Sequence, residues 1–146
     1  AKVSGSSLLK EEERNPFKTS TYGLGIMIKD AIDKGIKKIC MGIGGSATHD
    51  AGVGMLQALG VKFYHQGILI KDIINGSMLS EVTSFDLKEL KDLIKNVTFN
   101  VVTDVSNPLL GKSGAAHVYA AQKGASEEDI KVLENSTKQF ADVAET

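Results

Sequence analysis

The thirteen residues Gly42-Ile43-Gly44-Gly45-Ser46-Ala47-Thr48-His49-Asp50-Ala51-Gly52-Val53-Gly54 restrict this chain more than any other stretch. They follow the short apolar run Ile36–Met41 and lead into Met55-Leu56-Gln57-Ala58-Leu59, a pattern of strand, glycine loop and helix. A loop in that position is expected to offer free backbone N–H groups at the positive end of a helix dipole, a site for phosphate or carboxylate. Glycines allow close approach of the backbone to an anion and positive φ where a turn needs it. Gly44, Gly45, Ser46 and Thr48 are the candidate binders of phosphate or carboxylate, and Asp50 places a carboxylate beside them.

A second loop, Thr103–Gly111, leaves the convincing strand Val97–Val102. In open α/β sheets ligands collect at the carboxyl ends of the strands. If the two strands are neighbours, Asp50 and Asp104 face one ligand. Two carboxylates near a phosphate suit Mg²⁺-assisted phosphoryl transfer, one as metal ligand and one as proton acceptor. Asp50 and Asp104 are therefore the catalytic and metal candidates. Each also has a structural reading: Asp50 as a helix N-cap and Asp104 as an Asx-turn residue before Asn107-Pro108. Asn107 is a candidate for a substrate hydroxyl or for bracing its own turn. Lys123, after a helix, is a phosphate candidate or a charge that complements the helix dipole.

The rest of the chain reads as alternating strands and helices. Thr19–Lys34 carries Leu24, Met27, Ile28, Ala31 and Ile32 at helical spacing, with Thr or Ser as N-cap and Gly35 as the stop. Lys37–Met41 is a strand, and Val61–Tyr64 with Ile68–Ile70 flank His65-Gln66-Gly67 as a hairpin. Gly76–Leu79 is a short helix or turn, Glu81–Phe85 a strand, Leu87–Ile94 a helix and Ala115–Gln122 a small-residue helix. Ser126-Glu127-Glu128-Asp129 is a capping box for a last helix with Ile130, Leu133 and Phe140 on one face. The expectation is a single α/β domain over residues 1–146, with a mixed, mostly parallel sheet flanked by helices and one β-hairpin.

Composition narrows the function classes. The formal net charge of −1, with no long basic run, gives no support to nucleic-acid binding. No apolar stretch approaches the ~20 residues of a membrane span and no signal peptide opens the chain, so a cytoplasmic location is expected. The single cysteine, Cys40, lies in an apolar strand and reads as an inert core residue. His49, His65 and His117 do not have metal-ligand spacing. His49 is singled out by its place in the glycine loop, where a hydrogen bond from it would carry a pH dependence. Gly111-Lys112-Ser113 ends like a phosphate-binding loop, but Ser106 stands where the required first glycine belongs. Gly42-x-Gly44-x-x-Ala47 loosely fits a dinucleotide fingerprint, yet Val61–Gln66 supplies no acid for the ribose.

Several blocks resemble the bacterial-type (type I) glycerate kinase family. Gly44–Gly52 is similar to its Gly-Gly-Ser-Ala-Thr-Asn-Asp-Gly-Gly hallmark, with His49 in place of Asn and Ala51 in place of the first paired glycine. Arg14-Asn15-Pro16 with Thr19–Gly25, Met55–Gly60, Thr103–Gly111, and Gly114-Ala115 with Gln122–Ala125 follow in the family's order. The resemblance implies ATP-dependent phosphoryl transfer to D-glycerate, with ATP and Mg²⁺ as cofactors and Asp50, Asp104 and the loop residues as the site. It also implies a central piece of a longer protein, inactive by itself, whose uncovered apolar surface permits a homo-oligomer. Two alternatives remain at this point: a Rossmann-type dinucleotide-binding oxidoreductase domain, and a non-catalytic ligand-binding module derived from the kinase.

Overall fold

The computed structural model describes residues 3–146. Helix α1, Tyr22–Asp33, stops at Gly35, whose φ of +87° lets the Gly35 and Ile36 N–H groups return to Ile32 and Ala31. Strand β1, Lys38–Gly42, then enters the glycine loop, and helix α2, Val53–Ala58, follows it. Strands β2, Lys62–His65, and β3, Ile68–Leu69, form the expected hairpin. Its turn is shorter than the sequence suggests: Gln66 and Gly67 alone make it, both at positive φ, as two-residue hairpin turns require.

A 3-10 turn over Gly76–Glu81 precedes β4, Ser84–Asp86, and helix α3, Lys88–Ile94. Strand β5, Thr98–Val102, is followed by the short helix α4, Ala115–Tyr119, and by α5, Glu127–Ala144. The capping box of α5 forms as expected, with the Ser126 hydroxyl accepting from the Asp129 N–H and the Asp129 carboxylate accepting from the Ser126 N–H.

The α/β class holds, but the sheet is not mostly parallel. β1 and β5 pair in parallel as a two-stranded ribbon, while β3-β2-β4 is a separate antiparallel sheet. The expectation erred on β4. The extended stretch begins at Ser84 and pairs with β2, the strand already committed to the hairpin, so no further parallel crossover is built.

Two cores organise the molecule. Val53, Val61, Phe63, Ile74, Leu79 and Val82 form the larger, with Phe85 and Phe140 tilted against Phe63. Ala116, Ala120 and Leu133 form the smaller. Helix α5 joins them, because Leu133 and Phe140 share its inner face two turns apart. Helix α1 packs on α2, and the contact passes through Gly25, where a Cβ would strike the Met55 carbonyl and the Ala58 methyl. Cys40 corrects a further expectation: it is exposed, because among the described residues β1 has only β5 beside it in its sheet.

A candidate anion and hydroxyl site beside the glycine loop

Asp50 is the hinge of the site. It is 1% exposed, and its Oδ2 accepts from the Thr21 N–H and the Thr21 hydroxyl, each at 2.7 Å, and from the Gly54 N–H at 3.3 Å. Its Oδ1 accepts from the Gly52 N–H at 3.3 Å, and its backbone carbonyl from the Val53 N–H at 2.8 Å. The Met55 N–H in turn donates to the Thr21 hydroxyl oxygen at 2.8 Å. One carboxylate and one hydroxyl thus satisfy the first N–H groups of α2 and lock the start of α1 to the start of α2.

This changes where an anion can bind. The positive end of α2 is already occupied by the Asp50 carboxylate, so a ligand cannot take the helix N-terminus that the sequence pattern suggested. The loop proper keeps other donors. The Ala47 N–H is bound by the Ser4 carbonyl at 2.8 Å and the Thr48 N–H by the Ser46 hydroxyl at 3.0 Å. The N–H groups of Gly44, Gly45 and Ser46 have no acceptor among the described residues. Gly45 holds a φ of +69°, and the Cβ directions of Gly42 and Gly44 meet open space. The Ser46 and Thr48 hydroxyls lie 2.6 Å apart and bond each other.

Lys123 completes this rim. Its ammonium donates to the Thr48 carbonyl at 2.6 Å across 75 residues of sequence. Burial pushes its pKa below the ordinary lysine value, and the neighbouring Asp50 carboxylate opposes part of that shift. His49 is buried beside it and held neutral, its pKa lowered to about 4 by burial and then by the Lys123 charge. Gly44, Ser46, Thr48, His49, Asp50 and Lys123 line one cavity of about 660 Å³, whose other walls include the apolar Leu24, Met27 and Ile28 of α1 and Ile39 and Met41 of β1; Gly45 lies outside that wall.

The structure brings together Gly44, Ser46, Thr48, Asp50 and Lys123 at this cavity. It does not bring Asp104 there. β1 and β5 are neighbours, as the two-carboxylate reading requires, and the Ile43 N–H donates to the Val102 carbonyl where the two loops part. Asp104 nevertheless stands exposed, with no hydrogen bond to a described residue and no place in the cavity wall. Asn107 is also exposed and is spent on its own loop: its amide donates to the Ser113 carbonyl at 2.9 Å and its carbonyl accepts from the Tyr119 hydroxyl at 2.6 Å. Among the described residues no three His, Cys, Asp or Glu side chains group as a metal site. Asp50 and Asp104 do not face one another across this cavity: four N–H and O–H donors engage Asp50, and Asp104 lies outside the cavity wall.

Sequence reasoning missed Thr21 and Thr137. Thr21 precedes α1 among the Thr and Ser residues available as its N-cap, yet its hydroxyl bridges Asp50 and α2. Thr137 carries no motif signal and meets His49 only through the fold.

Comparison with known proteins points to one family. The model of the glycerate kinase family matches residues 1–146. A glycerate kinase of Halalkalibacterium halodurans is 43% identical over 146 residues, covering 99% of this chain and 38% of that protein. A glycerate 2-kinase of Escherichia coli is 40% identical over 144 residues, 98% of this chain and 37% of its own length. A crystal structure of a candidate glycerate kinase 2 from Salmonella typhimurium LT2 superposes with a TM-score of 0.88 at 39% identity, over 96% of this chain and 37% of that one. The chain thus spans well under half the length of the curated relatives it matches.

Proposed function

The chain belongs to the glycerate kinase family, and from that premise we propose that it supplies the hydroxy-acid side of an ATP-dependent kinase acting on D-glycerate. The observation that carries this reading is the Lys123 ammonium, fixed by the Thr48 carbonyl at the mouth of the glycine loop and lining the cavity. A carboxylate entering there meets one cation, the unengaged N–H groups of Gly44 and Ser46, and the paired hydroxyls of Ser46 and Thr48.

Phosphoryl transfer asks a protein mainly to position reactants and to neutralise charge. Asp50 serves the first need by holding the loop to α1 and α2. Asp104, which has no hydrogen bond to a described residue, is the carboxylate at the end of β5. In this reading ATP is the phosphoryl donor and Mg²⁺ belongs to the nucleotide's phosphates rather than to a pair of carboxylates in this chain.

The test uses the longer protein that contains this chain, incubated with Mg-ATP and D-glycerate, with product followed by ³¹P NMR. A phosphoglycerate signal appearing with ADP is expected. Replacing Lys123 by Met should lower kcat/KM by about 100-fold, mostly through KM, as loss of a charged contact to a carboxylate does. No phosphoglycerate, or an unchanged K123M enzyme, would overturn the reading.

A further inference from the structure

His49 carries an orientation that the rest of the site leaves unused. Its Nε2 lies 3.1 Å from the Thr137 hydroxyl oxygen, and that oxygen lies 2.7 Å from the Leu133 carbonyl one turn earlier in α5. Two oxygens at 2.7 Å need a proton between them, and a carbonyl has none to give. The Thr137 hydroxyl therefore donates to Leu133 and can only accept from the imidazole. The proton of the neutral ring is fixed on Nε2, and Nδ1 is left as an acceptor. Nδ1 has no hydrogen-bond partner among the described residues. It is not among the fully buried orphaned atoms either, although the residue is only 7% exposed. His49 and Thr137 both line the cavity, and Nδ1 is the ring nitrogen left free of the Thr137 bond there.

We propose that Nδ1 of His49 accepts a hydrogen bond from a hydroxyl group of the ligand, which makes His49 a positioning and specificity-determining residue for the hydroxy acid. The assignment rests on the glycerate reading above and divides the site by chemistry. A carboxylate oxygen is itself an acceptor and cannot satisfy an unprotonated Nδ1, so the anionic group goes to Lys123 and the glycine loop. A hydroxyl carbon next to that carboxylate is what the His49 edge takes. The charged groups facing His49 are Lys123 and the adjoining Asp50, and the lysine disfavours protonation of the ring. The acceptor therefore persists at neutral pH. An Asn side chain at position 49 would present its Oδ1 at the same distance along the side chain as Nδ1, so His49→Asn keeps an acceptor there while losing the bond to Thr137.

The test is ¹⁵N NMR of the imidazole ring in this protein, titrated in turn with D-glycerate, with propionate and with sulfate. Before addition, the spectrum should show the Nε2–H tautomer. D-Glycerate should shift Nδ1 towards the hydrogen-bonded range and leave Nε2 in place; propionate and sulfate, which have no O–H to donate, should move the Gly44–Thr48 amides and leave Nδ1 still. By titration, His49→Leu should weaken D-glycerate binding by about 10-fold and propionate binding hardly at all, while His49→Asn stays within about 3-fold of the parent. Loop amides that respond to D-glycerate with Nδ1 unmoved would overturn this assignment and leave the glycerate reading standing. No response anywhere in the cavity would overturn both.

Discussion

Ala51 stands at a φ of +49°, a left-handed conformation that costs a side-chain-bearing residue roughly 1 kcal/mol or more. It precedes Gly52, at +75°, so the turn into α2 is built from two consecutive left-handed residues. The paired glycines of the family pattern have a local physical reason here, and alanine is the strained choice. Ala51→Gly should raise stability by up to about 1 kcal/mol in urea unfolding, with m unchanged. Asp50 works in the opposite sense. Asp50→Ala strands the N–H groups of Thr21 and Gly54 and the Thr21 hydroxyl, and should cost about 3–5 kcal/mol, read as a lowered Tm. At His49, the folded-state pKa of about 4 lies below the unfolded value of 6.5. The unfolded chain therefore binds the proton first as pH falls. Stability from this residue is present above pH 6.5 and is lost as pH drops towards 4, to a limit of about 3 kcal/mol. Urea unfolding of parent and H49N protein at several pH values should show a flatter acid limb for the variant; parallel curves would refute the buried neutral imidazole.

At the scale of elements, the α1–α2 contact is set by small residues. A methyl at Gly25 meets the Met55 carbonyl and Ala58, and a Cβ at Gly54 meets the Ser20 hydroxyl and the Asp50 carboxylate. Gly25→Ala should therefore destabilise by about 2 kcal/mol, since an overpacked helix contact cannot relax past a backbone oxygen. The elements were legible in the sequence where their signals are local. Helix α1 with its Gly35 stop, the hairpin and the α5 capping box each depend on neighbours within a few residues. What escaped depends on partners far along the chain. β4 takes its direction from β2, the Asp50–Thr21 knot spans 29 residues, and the His49–Thr137 bond spans 88. Glycine spacing located the loop, but it could not reveal that an aspartate from within the motif had already filled the helix end.

Across the whole molecule, apolar surface is distributed unevenly. Val101 and Val102 are more than half exposed on the parallel ribbon, as are Ile43 just beyond β1 and Met27 on α1. A two-stranded parallel ribbon is a poor solution for burying such strands, since parallel sheets are ordinarily covered on both faces. This chain should consequently bind a hydrophobic dye and self-associate with concentration in sedimentation, a tendency that a longer protein covering the ribbon would not share. The exposed Cys40 reports on the same surface: a thiol reagent should modify it fully in the native state, without denaturant. Protection of Cys40 would mean that the ribbon is covered, by a second copy or otherwise. No helix among the described residues is long and apolar enough to cross a membrane. The most direct measurement on the proposed function is a crystal structure of a longer family protein that includes this chain, grown with D-glycerate. The carboxylate should lie within hydrogen-bond distance of the Lys123 ammonium, with a hydroxyl on Nδ1 of His49. Nucleotide phosphates at Lys123, or D-glycerate bound away from this cavity, would contradict the account.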